Sequence, residues 1–122
     1  MRNRLHNCKN PYQGQYKKVL CVCSAGLLRS PTTALVLSQD PYNYNTRACG
    51  IHDYALIMID DVLVVWADEI VVVEESIGDL VKPYLERLKL NTPIKCLNIP
   101  DNFEYRDEDL ITKIKESYDG QF

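Results

Sequence analysis

Apolar residues recur along this chain in short blocks whose period changes from one block to the next. Lys18–Cys23 (KVLCVC) is a compact run of β-branched and apolar residues, which predicts a buried strand. A loop, Ser24 to Arg29, follows it. Ser30 can cap a helix and Pro31 suits a first helical turn, so Thr32 to Gln39 reads as a helix closed by Asp40-Pro41. Thr46 to Cys49, ended by Gly50, is a second strand candidate. Asp60 can cap a helix to about Trp66, and Glu69 to Val73 (EIVVV) carries the strongest strand pattern in the chain. Ser76 and Asp79 have the spacing of a capping box and open a helix to about Leu90, with a kink expected at Pro83. Ile94 to Asn98 reads as a further strand. Asp107 to Tyr118 is an amphipathic helix with Leu110, Ile111 and Ile114 on one face.

Strands alternating with helices predict βαβ units: an α/β three-layer sandwich in which helices cover both faces of a four-stranded parallel sheet. Ligands of such sheets bind at the carboxyl ends of the strands, near a topological switch point. The loop after the first strand is therefore the place to look for chemistry.

The length, 122 residues, suits one domain, expected over 18–122, preceded by a basic tail over 1–17. Residues 1–18 hold Arg2, Arg4, Lys9, Lys17 and Lys18 and no acid, and read as a solvated terminus. The net charge of −3 leaves the rest of the chain acidic, and no nucleic-acid partner is expected. Ala55 to Val73, the most apolar region, is broken by Asp60, Asp61, Asp68 and Glu69, so no membrane partner is expected either. Five cysteines, Cys8, Cys21, Cys23, Cys49 and Cys96, are an odd number without a secretory leader pattern, which points to a reducing, cytoplasmic setting. With only His6 and His52 beside them, and no second pair to match Cys21 and Cys23, they make a poor ligand set; neither a metal nor another cofactor is expected.

The loop itself reads Cys23-Ser24-Ala25-Gly26-Leu27-Leu28-Arg29-Ser30: a cysteine, five residues, an arginine, then a hydroxyl. A strand delivers the cysteine, small residues let the backbone bend round an anion, and a helix start aims free N–H groups and a positive dipole end at it. Thiolates are stabilised in such surroundings, and a guanidinium offers a planar fork to two phosphoryl oxygens. Backbone N–H groups of Ser24, Ala25, Gly26, Leu27 and Leu28 would take the remaining oxygens. The residues point to a thiolate nucleophile acting on a phosphoryl group.

Val22-Cys23-Ser24-Ala25-Gly26-Leu27-Leu28-Arg29-Ser30-Pro31 resembles the V-C-x-G-N-x-C-R-S-P signature of the low-molecular-weight protein tyrosine phosphatases. It is more similar still to their small bacterial and phage branch, with which Trp66-Ala67-Asp68 and Ile99-Pro100-Asp101-Asn102-Phe103-Glu104-Tyr105 also agree. The resemblance spans about residues 18–118. It implies hydrolysis of phosphotyrosine, on a phosphorylated protein or a small aryl phosphate, through a phosphocysteine. Cys23 would be the nucleophile, Arg29 the transition-state clamp, Ser30 the donor to the departing thiolate and Asp101 the general acid. Asp107 rivals Asp101, although it reads as a helix cap. Tyr54 and Phe103, with His52, would line the rim of the pocket.

Three positions depart from the family pattern. Its loop asparagine is Gly26 here, and the serine that would hold that asparagine is Ala48. The joint loss is coherent, because glycine reaches positive φ without strain and alanine leaves no orphan hydroxyl. The second loop cysteine is Leu28, which removes the internal disulfide partner of Cys23. Leu27 stands where phosphoarginine-cleaving relatives carry threonine, so phosphotyrosine is the expected substrate. Two other readings stay open: arsenate reductase, which needs a relay of cysteines, and a phosphate-binding module without turnover.

Overall fold

The structure, a computed structural model, describes residues 7–8, 17–24, 29–52, 55, 57–99 and 108–120. Its elements in chain order are β1 (Asn7–Cys8), β2 (Lys18–Cys23), α1 (Arg29–Leu37), β3 (Asn45–Gly50), α2 (Asp61–Trp66), β4 (Glu69–Val72), α3 (Glu75–Leu88), β5 (Ile94–Cys96) and α4 (Glu108–Asp119). The sheet order is β1-β3-β2-β4-β5, with β2 to β5 parallel, as the alternation of strand and helix patterns requires. One strand was not expected. β1, inside the stretch read as a solvated tail, pairs antiparallel with β3 through Asn7↔Arg47 and Cys8↔Thr46.

β2 is flanked by strands on both sides and by helices on both faces, which is why Val19 to Val22 are fully buried. Burying each such side chain contributes roughly 1.5–3 kcal/mol, so the apolar run of β2 anchors the loop that follows it. Side chains alternate across the sheet and register partners share a face. Val19, Cys21, Cys23, Thr46, Glu69 and Lys95 therefore point to the face covered by α1 and α4, where Thr46 Oγ1 donates to the Ala34 carbonyl (2.8 Å) and Tyr118 donates to Glu69 (2.8 Å). Leu20, Val22, Arg47, Cys49, Val72, Ile94 and Cys96 point to the face of α2 and α3, where Arg47 lies 4.5 Å over the Trp66 ring. α1 and α3 thus leave adjacent strands, β2 and β4, towards opposite faces. That divergence is the switch point, and the carboxyl ends of β2 and β4 border it.

Several boundaries differ from the sequence reading. α1 begins at Arg29, so Ser30 lies inside the helix and does not cap it. α3 begins at Glu75, the Ser76–Asp79 capping box is not formed, and Asp79 lies 3.4 Å from Lys82 instead. Pro83 sits within α3, which continues to Leu88 and ends at Lys89 in the left-handed conformation. β5 stops at Cys96, although the N–H groups of Leu97 and Ile99 still reach the carbonyls of Val72 (2.9 Å) and Val73 (2.8 Å). Asp60 caps α2 as expected, accepting from the Leu63 N–H at 2.8 Å. α4 buries Leu110, Ile114 and also Tyr118, with Ile111 half-buried. Among the described residues no helix is long and apolar enough to cross a membrane.

Candidate active site

Cys23 ends β2, and its backbone is held there: its carbonyl accepts from Ile51 (2.9 Å), and the next carbonyl, of Ser24, accepts from His52 (3.2 Å). Its side chain points to the α1 face, where Sγ lies 3.1 Å from Ser30 Oγ. Ser30 Oγ also donates to the Cys49 carbonyl at 3.1 Å. A hydroxyl has one hydrogen, so with that hydrogen on Cys49 the Cys23 thiol donates to Ser30; when Cys23 is a thiolate, the Ser30 hydrogen can turn to sulfur. Starting α1 at Arg29 is what places Ser30 for this exchange.

Arg29 is 3% exposed, and a buried cation is tolerated only with partners. Nη1 donates to the Ile99 carbonyl at 2.9 Å and lies 3.1 Å from Glu74 Oε2. Thr33 Oγ1 returns a hydrogen bond to the Arg29 carbonyl at 2.7 Å, fixing the first turn of the helix. The thiol that ends β2 thus lies against the hydroxyl of Ser30, and the buried Arg29 precedes that hydroxyl on the first turn of α1, at the switch point. Such an arrangement can hold an anion against a sulfur nucleophile.

Of the other described thiols, Cys21 shares the face of Cys23 and is fully buried in the core. Cys49 and Cys96 lie on the α2–α3 face, opposite to Cys23. Burial pushes the Cys49 thiol far up, reinforced by Cys23 and Asp60. Burial also raises that of Cys96, against an Asn98 hydrogen bond and with the charges of Glu75 and Glu74 adding to the shift. Both remain protonated thiols near neutrality. Among the described residues no group of three or more His, Cys, Asp or Glu converges on a metal position.

Of the residues expected at the site, Cys23, Ser24, Arg29 and Ser30 are brought together, and half-buried His52 is tied to the same loop through Ser24. Ala25, Gly26, Leu27, Leu28, Tyr54, Asp101 and Phe103 lie outside the described residues, as does Asp107.

No protein-family model and no curated protein matches the sequence. Solved structures do match. Wzb of Vibrio vulnificus, in complex with benzylphosphonate, superposes with a TM-score of 0.67 at 16% identity, covering 87% of this chain and 97% of that one. A low-molecular-weight phosphotyrosine phosphatase of Vibrio cholerae O395 gives 0.61 at 16% identity, covering 86% and 95%. The YwlE arginine phosphatase of Geobacillus stearothermophilus gives 0.59 at 16%, covering 83% and 85%. The chain has the low-molecular-weight tyrosine phosphatase fold.

Within this phosphatase fold, three groups around Cys23 and Arg29 escaped the sequence reading. Two are backbone carbonyls, of Cys49 and Ile99, which side-chain identity cannot reveal. The third, Glu74, left a signal: an acid directly after an apolar strand, hence at the carboxyl end of β4, where ligands of parallel sheets bind.

Proposed function

We propose that this protein is a phosphatase that hydrolyses phosphotyrosine or other aryl phosphate monoesters through a phosphocysteine intermediate. The observation that carries the reading is the contact of Cys23 Sγ with Ser30 Oγ at 3.1 Å, with the buried Arg29 beside Ser30 on the first turn of α1. The benzylphosphonate held by the Vibrio vulnificus neighbour, an aryl-bearing analogue of a phosphate ester, supports the same ligand class.

Cys23 attacks phosphorus as a thiolate, forming the S–P bond while the P–O bond to the aryl group breaks. Arg29 and the loop N–H groups, from Ser24 to Leu28, hold the equatorial oxygens as charge redistributes over them. Asp101 protonates the departing oxygen. Water then attacks the phosphocysteine, Asp101 accepts its proton, and the S–P bond breaks to release phosphate. Ser30 turns its hydrogen from the Cys49 carbonyl to the departing thiolate. The aromatic side chains of Tyr54 and Phe103 suit an aryl substrate. A reducing cytoplasm suits a nucleophile that works as a thiolate.

Arsenate reduction requires a second cysteine to take over the oxidised sulfur and pass it to a reductant; Cys49 and Cys96 project from the opposite face of the sheet, and Cys21, on the face of Cys23, is sealed in the core. A non-catalytic phosphate cradle would bind oxyanions without turnover. Purified protein is expected to hydrolyse 4-nitrophenyl phosphate with inhibition by vanadate, and Cys23→Ser to fold but lose turnover, because a serine hydroxyl scarcely ionises. Phosphotyrosine peptides are expected to outrun phosphoarginine peptides, since Leu27 lacks a hydroxyl to orient water. Full activity in Cys23→Ser contradicts the nucleophile, and oxyanion binding without turnover favours the cradle.

A further inference from the structure

Glu74 occupies the N-cap position of α3, where an acidic side chain ordinarily accepts from the first N–H groups of the helix. Here it makes no cap hydrogen bond, and the carboxylate meets Arg29 Nη1 at 3.1 Å. Its backbone is fixed nonetheless, because the Glu74 carbonyl accepts from Ile77 and Gly78, both at 3.2 Å. The second acceptor on the same nitrogen, the Ile99 carbonyl at 2.9 Å, is fixed too: the Ile99 N–H donates to Val73, next to Glu74, at 2.8 Å. The β4–α3 junction and the segment leaving β5 are thereby joined, and they offer Nη1 two acceptors on one rigid support. Two acceptors on one terminal nitrogen set both the position and the plane of a guanidinium.

We propose that Glu74 is a positioning residue for Arg29: it orients the guanidinium so that the edge formed by Nε and Nη2 faces the phosphoryl oxygens. The proposal rests on the phosphatase reading above and deepens it. The divergence of the chain at β2 and β4 explains the pairing, since the arginine comes from the loop after one strand and its orienting acid from the end of the other. Glu74 is 41% exposed, so its charge is partly screened by water, and its effect on catalysis comes chiefly through acceptor geometry.

Glu74→Gln and Glu74→Ala separate geometry from charge, because both remove the charge and only glutamine keeps an acceptor. Glu74→Ala is expected to lower kcat on 4-nitrophenyl phosphate roughly tenfold to a hundredfold, the effect of one lost charge-assisted hydrogen bond. KM should change much less, since the fork is most needed as charge spreads in the transition state. Glu74→Gln should recover most of kcat. The rate of cysteine phosphorylation should depend on leaving-group pKa as in wild type, whereas Asp101→Asn steepens that dependence. Equal kcat in the alanine and glutamine variants, or wild-type kcat in alanine, overturns the proposal. A steepened leaving-group dependence in Glu74→Gln overturns it too, by making Glu74 the proton donor. If the wild type turns over no aryl phosphate, the phosphatase reading fails while vanadate titration still decides this one. Tighter vanadate binding in Glu74→Gln than in Glu74→Ala then supports it, and equal binding contradicts it.

Discussion

A single hydroxyl stands between the nucleophile and the neighbouring strand. Ser30 Oγ stands 3.1 Å from both Cys23 Sγ and the Cys49 carbonyl, so its one hydrogen can serve the carbonyl while Cys23 is a thiol and the sulfur when it is a thiolate. Ser30→Ala keeps the volume nearly unchanged and removes that choice. It is expected to slow the step in which the thiolate departs from phosphorus by roughly tenfold to a hundredfold, the effect of one hydrogen bond to a charged group. Pre-steady-state assays should then show a larger build-up of phosphoenzyme than in wild type. A wild-type rate of dephosphorylation would remove Ser30 from the mechanism. At this scale the sequence was informative where chemistry lies in side-chain identity, as with Cys23, Arg29 and Ser30. It was silent on the Cys49 and Ile99 carbonyls, which every residue possesses and only the fold can aim.

Between elements, the end of the sheet remote from Cys23 is tied together by one buried acid. Glu69, at the start of β4, lies 3.0 Å from Lys17 Nζ and 2.7 Å from Lys95 Nζ, and accepts from Tyr118 of α4 at 2.8 Å. Lys17 and Lys95 also lie 4.6 Å over the rings of Tyr44 and Tyr118, respectively. Burial opposes ionisation of Glu69, but its hydrogen bonds to Lys95, Lys17 and Tyr118 outweigh that and leave its pKa lowered. A lowered carboxyl pKa means that the stabilisation is complete above the unfolded value, about 4.3, and is lost as pH falls from there through the folded value. Glu69→Gln should therefore reduce stability at neutral pH by on the order of 2–3 kcal/mol, less than for a fully dry pair because Lys17 reaches solvent. The difference from wild type should shrink under acid, as denaturant unfolding at neutral and acidic pH will reveal. A difference that does not change with pH would mean that the cluster acts by packing alone. Strand and helix identities were legible from periodicity, whereas this cluster was not. A lone Glu opening an apolar strand also fits a strand end in solvent, and Lys17 was read as part of a solvated tail. α1 and α3 start earlier than the capping pattern implies for a related reason: the Ser30 hydroxyl is engaged by Cys23 and the Cys49 carbonyl, and Glu74 takes the N-cap position ahead of Ser76.

Across the whole molecule, the order β1-β3-β2-β4-β5 makes a site from residues far apart in sequence. β2 and α1 supply the thiol, the hydroxyl and the guanidinium, the end of β4 supplies Glu74, and the segment leaving β5 supplies the Ile99 carbonyl. The alternation of patterns was sufficient to foresee the parallel sheet, and it directs the search for a site to the carboxyl edge. It did not foresee β1, because two residues inside a basic stretch carry no strand period, and their pairing follows from the open edge of β3. The proposed mechanism requires a covalent bond between Cys23 and phosphorus, and trapping that bond is the most direct test. Acid-quenched protein taken during turnover of an aryl phosphate, digested and read by mass spectrometry, should carry a phosphoryl group on the peptide containing Cys23, and Ser30→Ala should carry more of it. Turnover without any phosphorylated Cys23, in wild type and in Ser30→Ala alike, would contradict the mechanism.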